Sequence, residues 1–98
     1  SSSASIAACG MLEMCKYLEA EEAEHYRKIA YRLMKAVYDI CAVKDLETSN
    51  GLVLHSTYSN HSPYNTCNHY GVDECNSWGD YFYMEALTRM NKDWELYW

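Results

Sequence analysis

Gly71-Val72-Asp73-Glu74-Cys75-Asn76-Ser77-Trp78-Gly79-Asp80-Tyr81-Phe82-Tyr83 packs carboxylates, small polar groups, an indole and phenols into one short stretch. It then runs straight into Met84-Glu85-Ala86-Leu87, a strong helix former. Polar groups crowded just before an apolar helix mark a helix N-terminus, where free backbone N–H groups can meet a ligand. The large aromatics beside them offer flat walls of the kind a sugar-binding cleft needs. A polar loop that only caps a buried helix carries the same signature.

Upstream lies a second polar stretch, Tyr58-Ser59-Asn60-His61-Ser62-Pro63-Tyr64-Asn65, inside a loop over residues 59 to 77 that holds the only proline. Loops this long are uncommon in compact domains and are often functional. The Ser59 and Ser62 hydroxyls can donate to sugar or sulfate oxygens, although the same two serines also suit a plain turn. Tyr58 and His61 are pocket candidates with a surface-loop reading beside them. Trp78 suits either stacking on a sugar face or filling a wall. His55, directly after Leu-Val-Leu, reads as a structural histidine. Asp73 and Asp80 read as helix-start and loop hydrogen-bonding groups. Cys67, His69 and Cys75, with His61 nearby, lack the paired spacing of a structural zinc site. No basic neighbour activates Cys75. The sequence therefore implies no metal and no cofactor.

Three helical segments must position these residues. The first spans about Ser3 to Leu18, with Ala4, Ala7, Ala8, Met11, Met14, Cys15 and Leu18 on one face. Its leading serines can cap it, and its small residues admit a second helix closely. The second spans about Glu21 to Val43, with a stripe of Tyr26, Ile29, Ala30, Leu33, Val37, Ile40 and Cys41. Glu24 and Lys28 form an i,i+4 pair on its surface. A turn at Ser49-Asn50-Gly51 precedes a short extended piece, Leu52 to Tyr58. The third helix spans about Trp78 to Met90 and is apolar on most sides, so burial on most sides is expected.

The chain has 98 residues and a formal charge of −6, with scattered lysines and arginines. That fits one domain at most and argues against nucleic acid, which requires a basic stripe. No apolar run approaches the ~20 residues that span a bilayer, and the start lacks the basic and apolar regions of a signal peptide. Five cysteines in no framework spacing point to a reducing, cytoplasmic setting. Two amphipathic helices cannot cover an apolar third. The chain is therefore expected to be a piece of a larger helical protein, or to pair with another chain.

The same blocks resemble a known family. Ser1-Ser2-Ser3-Ala4-Ser5-Ile6-Ala7-Ala8-Cys9-Gly10-Met11-Leu12-Glu13 resembles the D-[ST]-S-A-S-A-I-A-A-C-G-L-L-E helix start of unsaturated glucuronyl hydrolases, glycoside hydrolase family 88. The opening aspartate of that motif either precedes Ser1 or is replaced by serine. Gly51-Leu52-Val53-Leu54-His55, Gly71 to Glu74, Trp78 to Arg89 and Trp94-Glu95-Leu96-Tyr97-Trp98 resemble the C-terminal end of that family, in the same order. The resemblance implies an all-α fold, the C-terminal part of a six-hairpin α/α barrel, with residues 1–98 as one fragment of a single catalytic domain.

The implied activity is release of 4,5-unsaturated glucuronic acid from lyase-generated glycosaminoglycan oligosaccharides, by hydration of the C4–C5 double bond. The family's catalytic aspartates lie upstream, so no catalytic residue is carried onto this chain. Some members carry S-x-x-S-x-K for sulfated substrates. Ser59 and Ser62 match its serines, and Tyr64 stands at the lysine. The implied substrate-binding set is Tyr58, Ser59, His61, Ser62, Tyr64 and Trp78. The implied partners are unsaturated glycosaminoglycan disaccharides or oligosaccharides and the upstream part of the barrel, without nucleic acid or membrane. A helical interaction module and a sister unsaturated rhamnogalacturonyl hydrolase remain the alternatives.

Overall fold

The computed structural model describes residues 1–59 and 71–96, and every structural statement below concerns these residues. Three helices carry the architecture: α1 (Ser2–Met14), α2 (Ala20–Ile40) and α3 (Ser77–Asn91). A single 3-10 turn, Cys15–Tyr17, joins α1 to α2. So short a connection forces the first two helices into an antiparallel hairpin.

Two sets of contacts fix the direction of α3. At one end, Ser1 Oγ lies 2.6 Å from Ser56 Oγ, and a Cβ on Gly79 would sit 2.9 Å from that same Ser56 oxygen. At the other end, Arg89 Nη1 donates to Glu13 Oε2 at 2.5 Å, and Lys16 Nζ donates to the Trp94 carbonyl at 2.7 Å. The starts of α1 and α3 therefore share one end, and the two helices run parallel. The C-terminus of α2 arrives at that end too, because the Leu54 N–H donates to the Cys41 carbonyl and the Val43 N–H to that of Leu52, both at 2.9 Å. Parallel α1 and α3 alternate with antiparallel α2, as consecutive helices alternate between two rings.

Each helix is built for its place. Glu21 and Glu22 open α2, where carboxylates complement the dipole. Lys44 Nζ donates to the Asp39 carbonyl at 3.0 Å near its other end. Asn76 caps α3, its Oδ1 accepting from the Gly79 N–H at 2.7 Å. The expected serine cap on α1 is absent: Ser1 stands at the N-cap without a side-chain bond to the helix, because its hydroxyl is turned to Ser56 instead.

The core gathers Ala8, Cys9, Ala30, Met34, Val37, Val53, Tyr83 and Ala86. Met34 is 2% exposed, so truncating it to alanine would cost roughly 2–5 kcal/mol. Two expected faces hold in part: Ala4, Ala8 and Met11 of α1 and Ala30, Leu33 and Val37 of α2 turn inward. On α1 the buried edge is Ser5, Ala8 and Cys9, while Ala7 and Gly10 face outward. On α2 Ala23 and Met34 belong to the core, whereas Ile40 is 71% exposed because the chain leaves the helix there. The Glu24 carboxylate takes Arg27 at 3.0 Å in preference to Lys28 at 3.9 Å. The extended piece after Gly51 forms no strand; it touches its neighbours through isolated antiparallel bridges, Ala42 with Val53 and Ser56 with Glu74. The third helix keeps Gly79, Tyr83, Glu85 and Ala86 buried, yet Trp78, Tyr81, Met84 and Leu87 are exposed. This is the uncovered apolar face that the sequence expects of an incomplete core.

Among the described residues no helix is long and apolar enough to cross a membrane.

Candidate functional site

The shared end of α1 and α3 brings together the residues with chemical potential. Asp80, in the first turn of α3, spends one carboxylate oxygen on the backbone: its Oδ1 accepts from the Leu52 and Val53 N–H groups, each at 3.0 Å. This is the structural role expected of it, and it pulls the 52–59 segment across the start of α3. Ser56, 1% exposed, then sits over Gly79.

From there the segment pairs with the stretch leading into α3. The Ser56 N–H donates to the Glu74 carbonyl at 2.9 Å and the Glu74 N–H to that of Ser56 at 3.0 Å. One step further, the Tyr58 and Ser59 N–H groups both donate to the Gly71 carbonyl, at 2.7 and 3.3 Å. This pairing lays the Tyr58 ring beside the Trp78 indole, with centroids 5.4 Å apart and planes tilted by 32°. Tyr58 is 57% and Trp78 37% exposed. Two adjoining, partly exposed aromatic rings form a platform of the kind against which the apolar face of a sugar ring can pack. Of the expected binding residues, the structure thus joins Tyr58, Ser59 and Trp78 in one place. His61, Ser62 and Tyr64 lie outside the described residues, as do Cys67 and His69.

The sequence reading missed a pair at the base of this platform. His55 and Asp73 are left-handed, with φ of 62° and 63°. His55 Nδ1 lies 2.5 Å from Asp73 Oδ1, and both side chains are exposed. The Ser1 nitrogen donates to the His55 carbonyl at 2.8 Å. A left-handed backbone costs an L-residue about 1–2 kcal/mol, relaxed somewhat for Asp and His. An exposed hydrogen bond returns only about 0.5–1.5 kcal/mol. Glycine at both positions would hold the same backbone more cheaply, so stability alone does not account for these side chains. Two left-handed residues so far apart in sequence leave no local signature, and their meeting follows only from the Ser56–Glu74 pairing.

A second cluster lies at the opposite end. Arg89 is held by Glu85 at 2.8 Å and by Glu13, with its side chain 5% exposed. The Lys16 ammonium, chiefly, and then the Arg89 guanidinium hold the Glu13 carboxyl below the usual carboxylate range. The nearby Cys9 thiol is pushed up to about 12, mainly by burial and then by the Glu85 charge. A small cavity here is lined by Lys16, Arg27, Arg89, Lys92, Asp93 and Trp94, among others. Lys16, Arg27 and Arg89 already hold glutamates, so this end is ion-paired structure. Among the described residues, no three His, Cys, Asp or Glu side chains converge as metal ligands would.

Three helices that alternate in direction fit an all-α segment of an α/α barrel. The comparisons with known proteins agree. Over 99% of its length the chain is 40% identical to an unsaturated chondroitin disaccharide hydrolase of Streptococcus agalactiae, covering 23% of that protein. Over its whole length it is 42% identical to the corresponding hydrolase of Streptococcus pyogenes, covering 24%. It is 31% identical to an unsaturated glucuronyl hydrolase of a Bacillus species, covering 25%. A crystal structure of an unsaturated glucuronyl hydrolase mutant from Streptococcus agalactiae superposes with a TM-score of 0.82 at 40% identity, over 99% of this chain and 25% of that one. No protein-family model matches. The chain is similar along its length to unsaturated chondroitin disaccharide and glucuronyl hydrolases, and it spans about a quarter of the length of the relatives it matches.

Proposed function

We propose that these residues are the C-terminal part of a single α/α-barrel domain in a hydrolase that releases 4,5-unsaturated glucuronic acid from lyase-generated glycosaminoglycan disaccharides and oligosaccharides. The observation that carries this reading is the 40% identity, over 99% of the chain, to an unsaturated chondroitin disaccharide hydrolase. The uncovered faces of α1 and α3 support the incompleteness, since Ile6, Tyr81 and Met84 stay more than 40% exposed where a larger barrel would cover them.

The reaction is hydration. A proton is delivered to C4, water adds at C5, and the resulting hemiketal opens with loss of the glycosidic bond. The acid belongs to the rest of the barrel. The part of this chain is recognition: Tyr58 and Trp78 as the stacking platform, Ser59 and Ser62 as hydroxyl donors, with Tyr64 and His61 as further substrate-binding residues of the same sequence stretch. With Tyr64 where sulfate-preferring members carry lysine, that position offers sulfate no ammonium, so the preference for sulfated substrates is weaker or different. The four described cysteines are free thiols, which supports a reducing, cytoplasmic setting.

The test uses the protein that carries this chain, with sulfated and unsulfated unsaturated chondroitin disaccharides. Loss of the ultraviolet absorbance of the conjugated double bond is expected for both. Replacing Ser59 and Ser62 together by alanine should raise KM. A wild-type protein that leaves the absorbance unchanged refutes the activity, and unchanged KM in the double variant refutes the serine assignment.

A further inference from the structure

The energetic imbalance at His55 and Asp73 calls for a role other than stability. The side chains close the base of the segment that bears the platform. His55 precedes Ser56, Asp73 precedes Glu74, and Ser56 and Glu74 exchange both backbone hydrogen bonds. The next rung is the Gly71 carbonyl, which receives the Tyr58 and Ser59 N–H groups. Gly71 is itself left-handed, with φ of 74°. Three left-handed residues, His55, Gly71 and Asp73, therefore shape this short antiparallel pairing, and the His55–Asp73 bond is the side-chain tie across it. On the other side, the His55 carbonyl and the Ser56 hydroxyl are anchored to Ser1 at the start of α1.

We propose that His55 and Asp73 form a positioning clasp, which fixes where Tyr58 and Ser59 stand against Trp78 and so sets the affinity of the site for an unsaturated uronic-acid saccharide. The proposal rests on the function proposed above for its substrate class. It gives the two residues no contact with the reacting atoms. Backbone strain held at a site by the surrounding structure is one way to pre-organise it, and pre-organisation acts on binding because the ordering is done before the ligand arrives.

The discriminating variants are His55→Gly and Asp73→Gly, which keep the left-handed backbone easy while removing the tie, and Asp73→Asn, which keeps both an acceptor and tolerance of that backbone. In the full-length protein, with unsaturated chondroitin disaccharide as substrate, each glycine variant is expected to raise KM about three- to tenfold, the loss of one modest hydrogen bond. Turnover number should stay within about twofold and melting temperature should not fall. The double glycine variant should be no worse than either single one, and Asp73→Asn should restore most of the affinity. Hydrogen–deuterium exchange gives a readout that needs no activity: the Tyr58 and Ser59 amides should exchange faster in His55→Gly, while α3 stays protected. Unchanged KM, a fall in turnover and melting temperature alongside it, or unaltered exchange at Tyr58 and Ser59 would each overturn the clasp. An inactive wild-type protein would instead overturn the proposed function, and exchange alone would then decide the clasp.

Discussion

Replacing Gly79 by alanine sets two effects of opposite sign against each other. Alanine in a helix is favoured over glycine by about 0.5–1 kcal/mol, so propensity alone predicts a more stable protein. The space around Gly79 predicts otherwise. A Cβ there would lie 2.9 Å from Asn76 Oδ1 and 2.9 Å from Ser56 Oγ. Neither atom can retreat freely. Asn76 Oδ1 is the cap of α3, accepting from the Gly79 N–H at 2.7 Å, and losing such a cap costs about 1 kcal/mol. Ser56 Oγ is buried and 2.6 Å from Ser1 Oγ; stranding a buried hydroxyl costs roughly 1–3 kcal/mol. The penalties exceed the gain, so Gly79→Ala should destabilise by about 1–3 kcal/mol, within the usual range for overpacking. Urea unfolding of the variant and of Asn76→Ala, singly and together, measures this. Because the cap is one of the two obstacles, the cost of Gly79→Ala should shrink by about 1 kcal/mol once Asn76 is alanine. A neutral or stabilising Gly79→Ala, or full additivity of the pair, would refute the argument that this glycine exists to seat the Ser56 segment on α3.

Arg89→Met should be among the most damaging single changes, roughly 3–5 kcal/mol by chemical denaturation, since it leaves the buried Glu85 and the half-buried Glu13 without their shared cation. Glu13 titrates below the usual range, so the folded state binds its proton more weakly than the unfolded chain. Its stabilising contribution is full above the ordinary glutamate value of about 4.3 and is lost as pH falls through the depressed one. The melting-temperature gap between wild type and Glu13→Gln should thus be flat near neutrality and close in acid. The Cys9 thiol, buried and raised to about 12, should resist alkylation at neutral pH while exposed Cys75 reacts, as peptide mass mapping would show. Between the ordinary thiol value and about 12 the folded state retains a proton that the unfolded chain gives up, so this group makes stability fall as pH rises there.

How far the sequence carried these conclusions depends on the range of the interaction involved. Helical periodicity is local, and α2 and α3 fell within three residues of their expected ends. Incompleteness was legible too, because an apolar helix such as 77–91 with too few partners is a matter of composition. The face of a helix is less local. Ser5 and Cys9 proved to be the inner edge of α1 and Ala7 an outer one, which only the parallel packing of α3 decides. Trp78 and Tyr58 could be named as candidates from residue type, but their adjacency needed the Gly71 and Glu74 pairings. His55 reads as structural after an apolar run, and its bond to Asp73 agrees; what the sequence could not show is the identity of that partner, because the left-handed backbone at both residues depends on the pairing across the loop.

The two ends of the molecule divide the work by physics. At the far end, Arg89, Glu13, Glu85 and Lys16 are paired, and those toward the core are buried, an arrangement that resists motion and exposes little unpaired charge. At the near end the same two helices begin, and short polar contacts gather there: the Asn76 cap, the Ser1–Ser56 hydroxyl pair and the Asp80 oxygen that ties Leu52 and Val53. Every one of these bonds runs between a helix start and the 52–59 segment, or secures the turn that receives it. The rigid pairing at one end thus fixes α1 against α3, and that fixed frame lets short polar contacts at the other end aim Tyr58 and Ser59. A substitution at Arg89 should therefore weaken substrate affinity as well as stability, whereas His55→Gly should change affinity alone. That separation is what distinguishes a scaffold from a clasp, and measuring KM and unfolding free energy on both variants would reveal it.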